Sequence, residues 1–275
     1  MAEEVKLSAS SRANLVALQG TTKLIGRTQE RLATGLKVNS ALDDASAYFQ
    51  SRSLNFRAND LSQIKDGIDQ SIQTLKAALT GIESASKIVE QLKGLASAAK
   101  NATSASERST LANQAQQLAS QLDNLINDAS YNGVNLIKAT PDNLQVNFNE
   151  DATVELTVTG TNLSAANLGA NISTASNNWG TVGDINSDLD EYSSALGQLR
   201  TAASSLGSQT TLLQTRLDFL TSMVNTLSEG ADKLTLADTN QEGANLLALQ
   251  TRQQLGINSL SLAAQSESSI LSLFR

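Results

Sequence analysis

"INSDLDEYSSALGQLRTAASSLGSQTTLLQTRLDFLTSMVNTL", residues 185–227, is the stretch that decides the fold. Ile185, Leu189, Tyr192, Leu196, Leu199, Ala203, Leu206, Thr210, Leu213, Leu217, Leu220, Val224 and Leu227 follow one another by alternating steps of four and three. All but Thr210 are apolar, in a chain that is 40% apolar. Chance would produce that roughly once in ten thousand for a fixed register. The alternation is the heptad seam of a coiled coil, a stripe of one helix that must be covered by another. At about 1.5 Å per residue the helix would run to roughly 65 Å. That is too long for a compact globule of 275 residues, so the spacing predicts an elongated helical bundle.

Two further seams supply partners. One runs Leu111, Ala115, Leu118, Leu122, Leu125, Ala129. The other runs Leu61, Ile64, Ile68, Ile72, Leu75, Leu79, Ile82, then Ile88, Leu92 and Leu95, with consecutive steps of four at 64–68–72 that read as a stutter. The fold class expected is mainly α, a rod-like coiled-coil bundle built from both halves of the chain. Between the seams the period changes to two. "NLQVNFN" (143–149) places Leu144, Val146 and Phe148 on one face, and "TVELTVT" (153–159) places Val154, Leu156 and Val158. These predict an inserted β-hairpin, with Pro141 stopping the helix before it. Residues 161–184, rich in Asn, Ser, Thr and Gly, read as exposed loop with little core.

Composition narrows the function. The chain has no His and no Cys, which removes the commonest general base, the commonest nucleophile–base pairs and most zinc chemistry. No enzyme activity, cofactor or metal is expected. A net charge of -7 argues against nucleic acid as a partner. No apolar run is long enough to span a bilayer, so membrane insertion is not expected. The opening "MAEEVKLSASSRANLVALQG" starts acidic and alternates in polarity, unlike a cleaved secretory signal.

The two ends form a pair of their own. Leu15, Leu18, Thr22, Ile25, Gln29, Leu32 and Leu36 keep the four-three spacing near the N-terminus. The C-terminal "GANLLALQTRQQLGINSLSLAAQSESSILSLFR" is apolar-rich, with Arg252, Glu267 and Arg275 as its only charged side chains. A solvated helix normally carries charge on its outer face, so this segment suits packing inside an assembly. Between the first helix and the next lies "ERLATGLKVNSALDDA" (30–45). Gly35 suits a left-handed C-cap. Ser40 and Asp43 approximate a capping box, and Asp43 and Asp44 then fall in a first helical turn. A phosphate loop would need more glycines and a calcium loop more alternating oxygen donors, so the stretch is a joint between helices.

"RLATGLKVNSALDDASAY" (31–48) closely resembles the N-terminal signature of bacterial flagellins. "YNGVNLI" (131–137) and "QQLGINSLSLAAQSESSILSLFR" (253–275) are similar to two further segments of that family, in the family's order. The resemblance covers about residues 1–140 and 184–275. It implies a structural subunit of the flagellar filament, a homopolymer for swimming motility. Such subunits are exported unfolded by the flagellar type III apparatus, with export machinery, chaperone, cap and hook-junction proteins as partners, and the implied location is secreted, in the extracellular filament. By the same resemblance, residues 1–44 and 236–275 form an inner terminal coiled-coil core, 45–140 and 184–235 an outer helical bundle, and 141–183 a surface-exposed hairpin and loops. Leu32, Gly35, Asn39, Ser40, Asp43 and Asp44 make the joint. Leu15, Leu18, Ile25, Leu249, Ile257, Leu260, Leu271 and Leu273 carry the terminal packing.

Many flagellins are recognised by Toll-like receptor five through an Arg, a Leu and a Glu. Leu95 matches the Leu, but Gln91 stands at the Arg position and Gln114 at the Glu position, which implies weak or no recognition. Three Asn-x-Ser/Thr triplets, at Asn101, Asn162 and Asn171, are accounted for by composition. Trp179 in "NNWG" serves either as an exposed recognition aromatic or as an anchor for its loop. Asn132-Gly133 reads as a tight turn. Within the same class the rival is a hook–filament junction protein. Outside it stand an adhesin working through 141–183 and, far behind, an enzyme hosted there.

Overall fold

The computed structural model describes residues 9–169 and 171–273, with the side chains of Glu267 and residues 270–273 left aside. The helices are α1 (Ala9–Thr34), α2 (Ala45–Asn101), α3 (Ala105–Asp128), α4 (Ala165–Leu168), α5 (Val182–Thr235) and α6 (Thr239–Leu273). Strands β1 (Leu144–Asn147) and β2 (Glu155–Val158) pair antiparallel, Val146 opposite Leu156 and Leu144 opposite Val158. The mainly helical class and the inserted hairpin are therefore as the periodicities require. Contacts divide the chain into two compact units, Met1–Arg57 with Thr226–Arg275 and Ala58–Asn225.

In the second unit the heptad on α5 is real. Ile185, Tyr192, Leu199, Leu206, Leu213 and Leu220, each seven residues after the last, are buried, while Leu189, Ala203, Thr210 and Leu217 flank them half-covered. On α2 the buried stripe differs from the one drawn from large side chains. Leu61, Ile68, Ile72, Leu75, Ile82 and Leu92 of the expected seam are buried, and they are joined by Ser71, Ala78, Ala85, Val89, Ala96 and Ala99. Ile64, Leu79, Ile88 and Leu95 are only half-buried. Small residues enter the seam where neighbouring side chains come close. A Cβ placed on Gly81 would stand 2.6 Å from Ala129 Cβ and 2.9 Å from Ile137 Cδ1. The same shift occurs on α3, whose buried residues are Ala112, Ala115, Ala119, Leu122 and Ile126 rather than Leu111, Leu118 and Leu125.

Residues 161–181 are not loose loop. Leu163, Ala165, Leu168, Ile172, Ala175 and Trp179 are all buried. The segment is tied to its neighbours by polar groups it could not satisfy alone. Ala165 N donates to Asp123 (2.8 Å), Asn171 N and Nδ2 to Glu191 (both 2.9 Å), and Gln116 Nε2 to Thr174 O (2.7 Å). Trp179 is an anchor, fully buried, its Nε1 donating to Asp188 Oδ2 at 2.7 Å. The same buried carboxylate accepts Ser176 N (3.0 Å) and Ser176 Oγ (2.5 Å). Those bonds hold a backbone in which Ala175, Asn177, Asn178 and Trp179 all have positive φ, a conformation that costs energy for any residue but glycine. The hairpin is held to α5 by Arg216, whose guanidinium lies 5.0 Å from the Phe148 ring centroid and 5.8 Å from that of Phe219.

Asn132 and Gly133 form the expected turn, both at positive φ, with Tyr131 and Val134 exchanging backbone bonds of 3.0 Å. Just beyond it Asn135 is a buried hub. Its amide donates to Ile126 O and Asn127 O at the end of α3, and its carbonyl accepts Ile137 N and Lys138 N. Every donor and acceptor of this amide side chain is used. Asp142 closes the turn, accepting Asn135 N (2.9 Å) and pairing with Lys138 Nζ (2.8 Å).

Candidate assembly interface

The first unit brings the two chain ends together. Helices α1 and α6 pack antiparallel: Arg31 faces Glu242, Thr22 faces Gln253, and Leu18 comes to 3.1 Å of where a Cβ on Gly256 would lie. Ile25 is buried in this pair and Leu15, Leu18, Leu32, Leu249 and Leu260 are half-buried. Ile257, expected in the packing, is 45% exposed, at the flank of the face that α6 turns to α1. The side chains of Leu271 and Leu273 lie outside the described residues. Val16 and Leu24 on α1, with Leu247, Leu255 and Leu262 on α6, stay exposed. The buried positions of α1 are mostly small and polar, Ser11, Thr21 and Thr28 beside Ile25, and Thr21 satisfies its hydroxyl on Ala17 O. The helix pair therefore covers Ile25 and part of five leucines, and leaves other large apolar side chains of both helices exposed.

The joint is built by pairing rather than by one loop alone. Gly35 takes φ +72° and donates to Arg31 O at 2.8 Å, ending α1. Leu36 then bridges antiparallel to Leu236, which lies between α5 and α6. Lys37 N donates to Thr235 O and Ala237 N to Gly35 O, each at 2.8 Å. The two helix-to-helix joints thus lock side by side, and Val38 is buried there.

Ser40 does not cap α2. Asp44 does, accepting Ala47 N at 3.0 Å, and α2 starts at Ala45 with no acid in its first turn. Asp43 instead folds back over the loop and accepts Asn39 N (3.2 Å), Ser40 N (3.1 Å) and Ser40 Oγ (3.3 Å). The Ser40 and Asn39 amides hold its carboxyl below the usual carboxylate value, with Arg27 at 4.0 Å adding to this. The competing geometry won because two adjacent amides of the turn reach one carboxylate at once, which a helical Asp43 could not offer. A reciprocal capping box does occur, at Thr181 and Asp184 on α5: Thr181 N donates to Asp184 Oδ2 (2.9 Å) and Asp184 N to Thr181 Oγ1 (3.3 Å). Ser104 caps α3, accepting Glu107 N at 3.1 Å. Its Ser-x-x-Glu spacing was readable in the sequence.

In the second unit, Gln91, Leu95 and Gln114 come together. With Gly94, Gln117, Leu118 and Gln121 they line an open groove of about 740 Å³ between α2 and α3, with leucines at its floor and glutamine amides around it. Among the described residues no group of three His, Cys, Asp or Glu side chains could hold a metal ion, and no helix is long and apolar enough to cross a membrane.

Paired first and last long helices, a double joint and heptad-packed helices interrupted by a small hairpin define a mainly helical chain. Residues 7–141 match the family model of the bacterial flagellin N-terminal helical region, and residues 189–274 match that of the C-terminal helical region. The chain belongs to the flagellin family. It is 30% identical to flagellin FljO and 31% identical to flagellin FljM of Caulobacter vibrioides, in each case over 95% of this chain and 96% of the relative. A Bacillus cereus flagellin crystal structure superposes with a TM-score of 0.49 at 16% identity, over 56% of this chain and 88% of that one.

Proposed function

We propose that this chain is a structural, non-catalytic subunit that polymerises with copies of itself into the bacterial flagellar filament. One observation carries the reading. The α1–α6 pair buries Ser11, Thr21 and Thr28 but exposes Val16, Leu24, Leu247, Leu255 and Leu262. Apolar residues in that number, on two facing helices, need covering by further chains. Family membership supports identical copies as those chains. The inner role assigned to residues 1–44 and 236–275, with an outer bundle at 45–140 and 184–235 and an outward 141–183, belongs to the same proposal. Export in unfolded form through the type III apparatus, with a chaperone and with cap and hook-junction proteins as contacts, follows from it, as does an extracellular location.

The test compares the full chain with one lacking residues 1–38 and 240–275, by seeded sedimentation and negative-stain imaging. Filaments from the full chain and soluble material from the trimmed one are expected. Polymerisation of the trimmed chain would place assembly elsewhere. For the Gln91–Leu95–Gln114 groove we propose weak or no Toll-like receptor five recognition, since an uncharged rim offers neither the Arg nor the Glu contact. A receptor reporter responding to this chain as strongly as to an Arg- and Glu-bearing flagellin would contradict that.

A further inference from the structure

The start of α2 is built inside out. Its buried face there is Ser51 and Ala58, with Leu54 Cδ1 3.6 Å from where a Cβ on Gly230 would lie. Phe49 and Phe56 are 63% and 57% exposed. At about 100° per residue the two rings lie within roughly 20° of each other, and about 160° from the buried pair. A helix that served only its own chain would turn the phenylalanines inward and the serine outward. Seven residues before Phe49 comes Leu42, 98% exposed. It is presented by a turn that Asp43 and Asp44 pin from either side, through Asn39, Ser40 and Ala47 amides. The rings are also held: Tyr48 meets Phe49 edge-on at 5.5 Å, and the Arg52 guanidinium sits 4.9 Å from the Phe56 centroid.

At roughly 200 Å² for a whole side chain of this size, the three together present about 400 Å² of apolar surface. That is the scale at which a patch on a soluble protein marks an interaction site. Large apolar anchors already fixed in place lose little entropy on docking, which is the property of an interface hot spot.

We infer that Leu42, Phe49 and Phe56 form an intersubunit contact, covered in the filament by a helix of a second copy of this chain. The inference rests on the filament reading above. Three observations select that occupant. The patch lies on the same compact unit as the exposed leucines of the α1–α6 pair, the helices that the filament reading already gives to other copies. On α2 the step from Phe49 to Phe56 equals the seven-residue period of the packed seams on α2 and α5, so a helix of this chain's own kind can interdigitate with the two rings. Asp43 and Asp44 beside Leu42 offset Arg52 and Arg57 beside the rings, so the patch offers an anionic lipid surface no net positive charge.

The chain has no cysteine, so Ser53→Cys, on the Phe49–Phe56 face with the patch intact, accepts a single environment-sensitive dye. On seeding the full chain, the dye emission should shift blue and become shielded from iodide. Leu42→Ala, Phe49→Ala and Phe56→Ala combined should leave the monomer's helical circular dichroism in place and raise the critical concentration by about tenfold or more. Filaments in which the dye stays open to iodide, or a folded triple variant assembling at the unmodified chain's concentration, would overturn the contact while leaving the filament reading intact. If the triple variant loses its helical signal, the labelled chain decides. Failure of the unmodified chain to assemble at all, even seeded, would instead sink the filament reading, and the occupant proposed here with it.

Discussion

Arg31 and Glu242, 211 residues apart in sequence, meet through a 2.9 Å bond from Nη1 to Oε1. The glutamate side chain is 11% exposed and the arginine 26%. A carboxylate this covered is costly without its cation. This pair therefore sets the register of α1 against α6 and ties both to the joint that follows.

Removing only one partner is expected to be worse than removing both. Arg31→Ala should cost about 2 kcal/mol of local stability, the worth of a partly buried charged bond. Arg31→Met with Glu242→Leu should recover most of it. Hydrogen exchange of α1 and α6 amides in the full chain checks this, and a single variant exchanging no faster than the double would refute it.

The cap of α2 can be tested by substitution. Asp44→Ala should destabilise the start of α2 by about 1 kcal/mol, and Ser40→Ala by less than half of that. The reverse order in thermal melts or amide exchange near Ala47 would restore Ser40 as the cap.

Asp188 holds the strained turn at 175–179, so Asp188→Ala should cost about 3 kcal/mol by stranding the Trp179 indole and the Ser176 amide. With a single tryptophan in the chain, fluorescence reads the outcome directly as a red shift. Unchanged emission would mean the turn stands without the carboxylate.

Burial, then Asp188 and Glu191, push the Tyr192 phenol well above its usual value, and its hydroxyl has no hydrogen-bond partner among the described residues. Tyr192→Phe should therefore leave stability unchanged or raise it by up to about 1 kcal/mol. A clear loss in urea unfolding would show that the hydroxyl is in use.

Stability should fall in acid. Lys138 and the Asn135 amide hold Asp142 below its ordinary 3.8. Thr181 does the same for Asp184, and Lys233 for Glu229. A lowered folded-state value means the stabilisation is complete above the unfolded value. It drains away as pH falls through that value and then through the lower folded one, from about pH 5 downward. Melting temperatures across the acid range should decline, and Asp142→Asn should flatten part of the slope. A slope identical in that variant would remove Asp142 from the account.

Much of this was visible without coordinates. The period of α5, the change to period two at 143–159, the stop at Gly35 and the turn at Asn132-Gly133 are local matters of side-chain spacing and backbone preference, and each stands where its residues put it. Two other features also carry a signal in the sequence. The spacing of Ala165, Leu168, Ile172, Ala175 and Trp179 is also four-three, hidden among Asn, Ser and Thr. The Ser104–Glu107 cap was an ordinary capping pattern.

Three things followed only from tertiary packing. The seams of α2 and α3 take in alanines, because how near the neighbouring side chains come decides whether a small or a large residue fits, as Gly81 against Ala129 and Ile137 shows. Asp43 and Asp44 divided their work because the turn before α2 offered Asp43 two amides together. The phenylalanines of α2 point outward because the inner face of that turn is taken by Ser51, Leu54 and Ala58. Sequence by itself determined which segments are helices and that they must be covered. Which face is covered within the chain, and which is left for another copy, depends on distances between residues far apart in sequence, and only the folded structure sets those.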